Sequence, residues 1–205
     1  NRRKDMSTID FRPYGGFIFD MDGTLIDTMP AHLAAWQATA DRFDFPFCQE
    51  WLHSLGGMPS FKIVAELNRH YGLSLDPQTV SKFKMETFAA MELQGDVIQC
   101  TGIVLEEYLG QKKIAVGTGS QRESAMRLLS HAGLIDRLDA VVTASDVENH
   151  KPCPDTFLLA ADRLGIDAQN CLVFEDTELG KRAAHSAGMD CVMVEGNNLV
   201  FYPKR

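Results

Sequence analysis

The sequence predicts an α/β protein, a doubly wound parallel sheet interrupted after its first strand by an all-helical insertion. Three observations carry this expectation. Beyond residue 102, short apolar runs alternate with helix-length amphipathic segments, as right-handed βαβ units require. Between residues 28 and 94 the apolar residues recur at helical spacing and no strand-like run appears. The run Gly16-Phe17-Ile18-Phe19 reads as a fully buried strand and stops abruptly at Asp20-Met21-Asp22-Gly23.

Taken in order, Gly23 permits a sharp turn after this first strand. Thr28 and Pro30 open a helix with Leu33, Trp36, Ala40 and Phe43 on one face, and Trp36 reads as core. A second helix is expected over Gln49–Ser54, stopped by Gly56-Gly57. A third starts at Pro59 with Ile63, Val64, Leu67 and Tyr71 and ends at Gly72. Asp76-Pro77 opens a fourth, with Val80, Phe83, Phe88 and Met91 as its apolar face. From Gly102 a helix carries Val104, Leu105 and Tyr108, and Lys113–Gly117 is a strand. A helix with Ala125, Leu128, Leu129 and Ala132 follows, and then a strand over 138–142. Another helix holds Phe157, Leu158, Ala161 and Leu164, and a strand over 171–174 ends in Glu175-Asp176. A helix over 178–186, stopped by Gly188, leads to a last strand over 191–194.

The 205 residues suffice for one core with an insertion, burying on the order of 70% of the extended surface. The apolar fraction of 45% and charged fraction of 23% are those of a folded globular chain, not a disordered one. A net charge of -8 and the lack of a basic stripe argue against a nucleic-acid partner. The charged first residues, Asn1-Arg2-Arg3-Lys4-Asp5, lead into no apolar stretch and are not expected to be a secretory signal. No run approaches eighteen apolar residues, so no membrane span is expected. The five widely spaced cysteines form no CxxC pair, which fits reduced thiols in the cytoplasm.

Polar groups fall at or just past four strand ends: Asp20 with Asp22, Thr118 with Ser120, Lys151, and Glu175 with Asp176. In such sheets these ends share one rim, where ligands bind. Residues two apart in extended chain point the same way, which would bring Asp20 and Asp22 towards one spot and call for a divalent cation between them. Asp20 and Asp176, with Glu175 and a carbonyl at Asp22, offer the hard oxygens that Mg²⁺ prefers. Thr118, with the N–H groups at Gly119 and Ser120, is placed for a phosphate oxygen, and Lys151 supplies positive charge and holds the surplus carboxylates. Each residue has a plainer use alone. Asp22-Gly23 makes a turn, Thr118 caps a helix, Lys151 is a loop lysine, and Glu175-Asp176 complements a helix dipole. Four such accidents at four strand ends are harder to accept than one site.

These residues resemble the haloacid dehalogenase-like superfamily of phosphotransferases, in its β-phosphoglucomutase-like branch. The resemblance rests on Asp20-Met21-Asp22-Gly23-Thr24 with Asp27-Thr28, on Gly117-Thr118-Gly119-Ser120, on Lys151-Pro152-Cys153-Pro154-Asp155, and on Glu175-Asp176-Thr177 with Gly180, Ala183-Ala184 and Ala187-Gly188. It implies a Rossmann-like core of residues 1–27 and 95–205 and a helical cap of residues 28–94. It also implies that Asp20 is the phosphoryl-accepting nucleophile and Asp22 the general acid and base, protonated part of the time because other carboxylates crowd it. Mg²⁺ is expected on Asp20, the Asp22 carbonyl and Asp176, with Glu175 close by. His32 and Lys84 match cap positions that face the substrate or the hinge.

Two departures point from mutase towards hydrolase. The turn Gly56-Gly57-Met58-Pro59-Ser60 lacks the arginine that grips a second phosphate in the mutase, and Lys62 is a poorer substitute. Thr24 stands as in the phosphatases. Thr101 replaces a proline common before Gly102, and Lys181 replaces an apolar residue, its stem expected to lie on the core. The expectation is a Mg²⁺-dependent phosphatase of small phosphorylated metabolites, with fructose 1-phosphate as the narrowest guess. A phosphosugar mutase is the nearest alternative, and a phospho-acceptor signalling domain a remoter one.

Overall fold

The computed structural model describes residues 9–91 and 95–204. The sheet is built on β1 (Gly16–Phe19), with β2 (Lys113–Gly117) and β3 (Ala140–Val142) on one side and β4 (Cys171–Glu175), β5 (Asp190–Glu195) and β6 (Asn198–Tyr202) on the other. The strand order is β3-β2-β1-β4-β5-β6. The first five strands are parallel, and β6 pairs antiparallel with β5 at the edge. In register, Phe19 lies between Val116 and Phe174, so the ends of β1, β2 and β4 are level and Asp20 begins where Phe19 stops.

Side chains alternate across β1 as a pleat dictates. Phe17 and Phe19 enter one apolar layer with Val104, Leu105, Leu128 and Leu129, while Ile18 enters the other with Phe157, Ala160 and Ala184. The helices responsible are α5 (Gln99–Tyr108) and α6 (Arg122–His131) on the first face, and α7 (Asp155–Leu164) and α8 (Glu178–Ser186) on the second. Both faces are covered, which is why β1 is fully buried and reads as a continuous apolar run.

Between β1 and α5 stand α1 (Met29–Phe43), α2 (Gln49–Ser54), α3 (Ser60–Tyr71) and α4 (Pro77–Ala89), with no strand among the described residues of this segment. They close on a small core of their own around Trp36, Leu52, Val64, Leu67 and Val80. Gly72 ends α3 in the left-handed conformation, the role its position suggests. The expected end of this block at residue 94 and the nature of the first residues lie outside the described residues. Among the described residues no helix is long and apolar enough to cross a membrane.

Several expected elements are corrected. The strand over 191–194 is not the last: Gly196, at φ 64°, turns the chain into β6. The strand over 138–142 shortens to Ala140–Val142, although Asp139 continues the ladder by donating its N–H to Ile114 O and accepting Ile114 N–H on its carboxylate. Helix α5 starts at Gln99, ahead of Gly102, because Thr101 turns inward and its hydroxyl donates to Thr24 O. Leu158 of α7 is 43% exposed and lies off its buried face. Lys181 stands over the Tyr202 ring and pairs with Glu178.

Candidate active site

The level ends of β1, β2 and β4 gather one buried cluster. Lys151 Nζ donates to Asp20 Oδ1 at 2.9 Å, to Glu175 Oε2 at 2.8 Å and to Gly117 O at 3.0 Å. All three ammonium protons therefore go to protein oxygens. Burial works against its charge, but Asp20 and Glu175 outweigh that and raise Lys151 above the ordinary lysine range. Thr24 Oγ1 lies 3.0 Å from Asp20 Oδ2 and 3.1 Å from Asp176 Oδ1. Gly23 sits at φ 80°, and a Cβ there would meet Asp176 Oδ2 at 2.3 Å. Glycine is required twice over, for its conformation and for the room it leaves the acid.

Carboxylate oxygens of Asp20, Glu175 and Asp176 all lie within 4.8 Å of one another. Three carboxylates face one ammonium, so two negative charges would be left over with all three ionised. The crowding has its electrostatic consequence: burial and Asp20 push Glu175 up to about 8 against the pull of Lys151, and likewise raise Asp176 well above the aspartate range. A surplus of two charges on hard oxygens matches a small divalent cation.

Asp22 has different surroundings. The chain leaves the extended conformation after Asp20, bends at Met21 and turns through Gly23 to Leu25. This carries the Asp22 carboxylate out of the acid cluster. It accepts hydrogen bonds from Thr28 Oγ1 at 2.6 Å, His32 Nε2 at 2.9 Å and Ser120 Oγ at 2.7 Å. The expectation that neighbouring carboxylates crowd Asp22 and keep it protonated is thereby overturned. Burial raises it, but His32, Thr28 and Ser120 together hold it well below the usual carboxylate range.

Behind Asp22 stands a relay from the helical block. Lys84 Nζ donates to His32 Nδ1 at 2.8 Å and to Ser60 Oγ at 3.2 Å. Since the ionised Asp22 carboxylate can only accept, the ring proton sits on Nε2, aimed at Asp22, and Nδ1 is left to accept from Lys84. His32 stacks on Phe88 at 4.0 Å, and Lys84 lies over the Trp36 ring at 5.1 Å. Burial pushes Lys84 down to about 7, with Asp22 pulling the other way, and burial also lowers His32.

Between the helical block and the sheet lies a cavity of about 550 Å³. Asp20, Asp22, Gly119 and Ser120 reach it from the sheet side, His32 and Lys84 from the other, and Met29, Trp36, Met58 and Phe61 supply apolar wall. Thr118 is buried beside Ser120, whose N–H it accepts at 3.1 Å. The Gly56-Gly57 turn rests directly on the sheet rim. A Cβ on Gly119 would meet Gly57 O at 2.1 Å, and Thr177 Oγ1 donates to Gly56 O at 3.2 Å. Lys62 does not line the cavity, and its ammonium donates to Glu148 O at 3.0 Å.

The family model described as haloacid dehalogenase-like hydrolase matches residues 17–194. The chain belongs to the haloacid dehalogenase-like hydrolases. It is 40% identical to the fructose-1-phosphate phosphatase YqaB of Escherichia coli, over 90% of this chain and 98% of that one. It is 28% identical to a β-phosphoglucomutase of Bacillus subtilis, over 86% and 81%. The fold matches the crystal structure of a β-phosphoglucomutase from Clostridium difficile with a TM-score of 0.79 and 25% identity, covering 89% of this chain and 85% of that one.

Of the site residues expected for this hydrolase, Asp20, Asp22, His32, Lys84, Gly119 and Ser120 line the cavity, while Lys151, Glu175 and Asp176 stand behind Asp20 and Thr118 behind Ser120. Sequence reasoning missed the use of Thr28, read as a helix cap. It makes no side-chain cap, and its hydroxyl goes to Asp22 instead. Thr24 bridges Asp20 and Asp176, a use that its likeness to the phosphatases does not announce. The signal available was a hydroxyl four residues after an acid in a turn.

Proposed function

We propose that the chain is a Mg²⁺-dependent phosphatase of small sugar phosphates, of the fructose 1-phosphate kind. The observation that carries this reading is the division of labour between two acids two residues apart: Asp20 held by Lys151 in a surplus of carboxylates, and Asp22 held by His32 and Ser120 over the cavity. The 40% identity to a fructose-1-phosphate phosphatase supports the substrate class. Residues 28–94 act as the cap that carries specificity, and residues 1–27 with 95–205 as the catalytic core. The five free thiols suit the cytoplasm.

In this reading Asp20 Oδ2 attacks phosphorus and the bond to the leaving oxygen breaks, giving an aspartyl-phosphate that water then hydrolyses. Lys151, bonded to Oδ1, holds the carboxylate in place with Oδ2 left to react. Asp20, the Asp22 carbonyl and Asp176, with Glu175 beside them, are the groups that would hold Mg²⁺, and the bound ion would offset charge on the phosphoryl oxygens. Gly119 and Ser120, with Thr118 behind them, receive the phosphate oxygens. Asp22 delivers a proton to the leaving alkoxide and later takes one from water. The proton reaches Asp22 from His32 Nε2, and Lys84 replaces it at Nδ1, a step that a lysine titrating near 7 can take at neutral pH.

A mutase needs a second phosphate gripped by the cap. The 56–60 turn carries no cation, and Lys62 does not line the cavity. A panel of phosphorylated metabolites, assayed for free phosphate and for isomer with and without Mg²⁺, tests the proposal. Phosphate release that needs Mg²⁺ and vanishes in Asp20→Asn is the expected result. Isomer without phosphate, or turnover by Asp20→Asn, would refute it.

A further inference from the structure

His150 is buried, yet none of the chemistry above uses it. Its Nε2 donates to Ala144 O at 2.9 Å, and its Nδ1 is buried without a hydrogen-bond partner. The ring lies between two loops of the site. On one side the next residue is Lys151. On the other, Ala144 N–H donates to Ser120 O at 2.9 Å, and the Ser120 hydroxyl is bonded to Asp22. From the cap, Phe61 meets the imidazole edge-on, with ring centres 6.2 Å apart at 86°, and the same Phe61 lines the cavity. Beside it Lys62 fastens the cap to Glu148 O.

We propose that His150 is a positioning residue that ties the Lys151 loop to the Ser120 loop and forms the surface on which Phe61 of the cap docks over the substrate. The inference rests on reading the cavity as a phosphate-ester site. The Ala144 carbonyl accepts a hydrogen bond from Nε2–H, so a second proton could enter only at Nδ1, where it would have no acceptor and would leave a buried charge. Burial disfavours that proton most, and Lys62 from α3 disfavours it further. The Ala144 carbonyl and Asp155 at the start of α7 favour it. The neutral ring therefore fits this site with one donor paired, and protonation at Nδ1 puts an unpaired buried charge under Phe61 and loosens the packing there.

The test compares wild type, His150→Gln and His150→Leu in Mg²⁺-dependent hydrolysis of fructose 1-phosphate and p-nitrophenyl phosphate from pH 5 to 8. His150→Gln keeps an N–H within reach of Ala144 O but does not titrate. His150→Leu should raise KM about tenfold with a smaller effect on kcat, and His150→Gln should restore KM to within about threefold. The rise of wild-type KM at acid pH should be flattened in His150→Gln. Titration of the substrate phosphate affects all three proteins alike and cancels in the comparison. Independently, ring ¹H–¹⁵N spectra of the wild type should place the proton on Nε2 and show titration below the ordinary histidine value near 6.5. A KM and pH profile unchanged in His150→Leu, equal damage by both variants, or a ring proton on Nδ1 would overturn the proposal. Should His150→Leu not fold, the pH profile of His150→Gln and the spectra decide. Failure of the wild type to release phosphate from either ester would refute the functional reading, while the spectra still test the placement of the ring.

Discussion

Lys84 Nζ lies 2.8 Å from His32 Nδ1, and both side chains are buried. A lysine ammonium with one imidazole, one serine hydroxyl and aromatic rings for company is poorly solvated, so its place in the fold costs stability. The contact makes sense only as part of the chain that ends at Asp22.

Lys84→Met should therefore stabilise the protein while disabling it. Below about pH 7 the lysine is charged both folded and unfolded, and the full burial cost stands. Between about 7 and the usual 10.5, the folded state gives up its proton before the unfolded chain does, and wild-type stability rises with pH. The advantage of Lys84→Met, on the order of 3 kcal/mol at pH 6, should shrink towards pH 10. Urea denaturation at pH 6, 8 and 10 measures it. Turnover at pH 7 should fall about a hundredfold, and equal stability of the two proteins at pH 6 would show that the ammonium is solvated after all.

Magnesium should stabilise the folded chain, and more so at higher pH. Glu175 has its folded value raised from near 4.5 to about 8, so its contribution is fully present below about 4.5 and is lost as pH rises through 8. A cation that takes up the released charge restores it. At a concentration a hundred times its Kd the gain is about 2.7 kcal/mol, read as a rise in Tm on Mg²⁺ titration at pH 8 and a smaller rise at pH 5.5. Asp176→Asn should lose most of the shift. A Tm indifferent to Mg²⁺ at both pH values would contradict the assignment of this cluster.

Gly180→Ala offers a steric check on the same cluster. In α8 alanine is the better helix former by about 1 kcal/mol, yet a Cβ at this position would fall 1.9 Å from the Glu175 carboxyl carbon. Overlap should win, with a net loss of about 1–3 kcal/mol and a large fall in turnover as Glu175 is pushed off Lys151. Gly188→Ala, with open space but φ 78°, should cost about 1–2 kcal/mol and leave turnover intact.

The acid cluster was legible in the sequence because parallel topology alone brings strand ends together: Asp20, Glu175 and Lys151 needed only the element order to be placed. The Asp22 environment was not legible. Extended-chain alternation puts Asp22 beside Asp20, but the turn through Gly23 carries it to Ser120 and His32, and nothing local announces that. His32 and Lys84 stand 52 residues apart on two helices, and their contact depends on how α1 packs against α4. Edge strand β6 was missed although Asn198-Leu199-Val200-Phe201-Tyr202 follows a Gly-Asn turn, because an antiparallel edge breaks the strand-helix alternation that organised the reading. His150 drew no notice, since a histidine before Lys-Pro has no pattern to belong to.

Among the contacts that dock the cap, one is between backbones, and Gly119→Ala isolates it. Gly119 lies outside the left-handed region, so alanine is compatible with its own conformation, but its Cβ would approach Gly57 O to 2.1 Å. Neither side can yield by rotating a side chain; the cap loop itself must lift. The core loses no packing, so stability should stay within about 0.5 kcal/mol of wild type. A lifted cap moves His32 and Lys84 off Asp22 and opens the cavity to water, and a displacement near 1 Å is enough to cost about a hundredfold in kcat/KM. Gly72→Ala is the control: it sits in the cap at φ 65° with nothing within 4 Å, and should lose about 1–2 kcal/mol without touching turnover. Urea denaturation alongside steady-state kinetics separates the two effects. Full activity in Gly119→Ala would mean that turnover proceeds with the Gly57 turn held away from the rim.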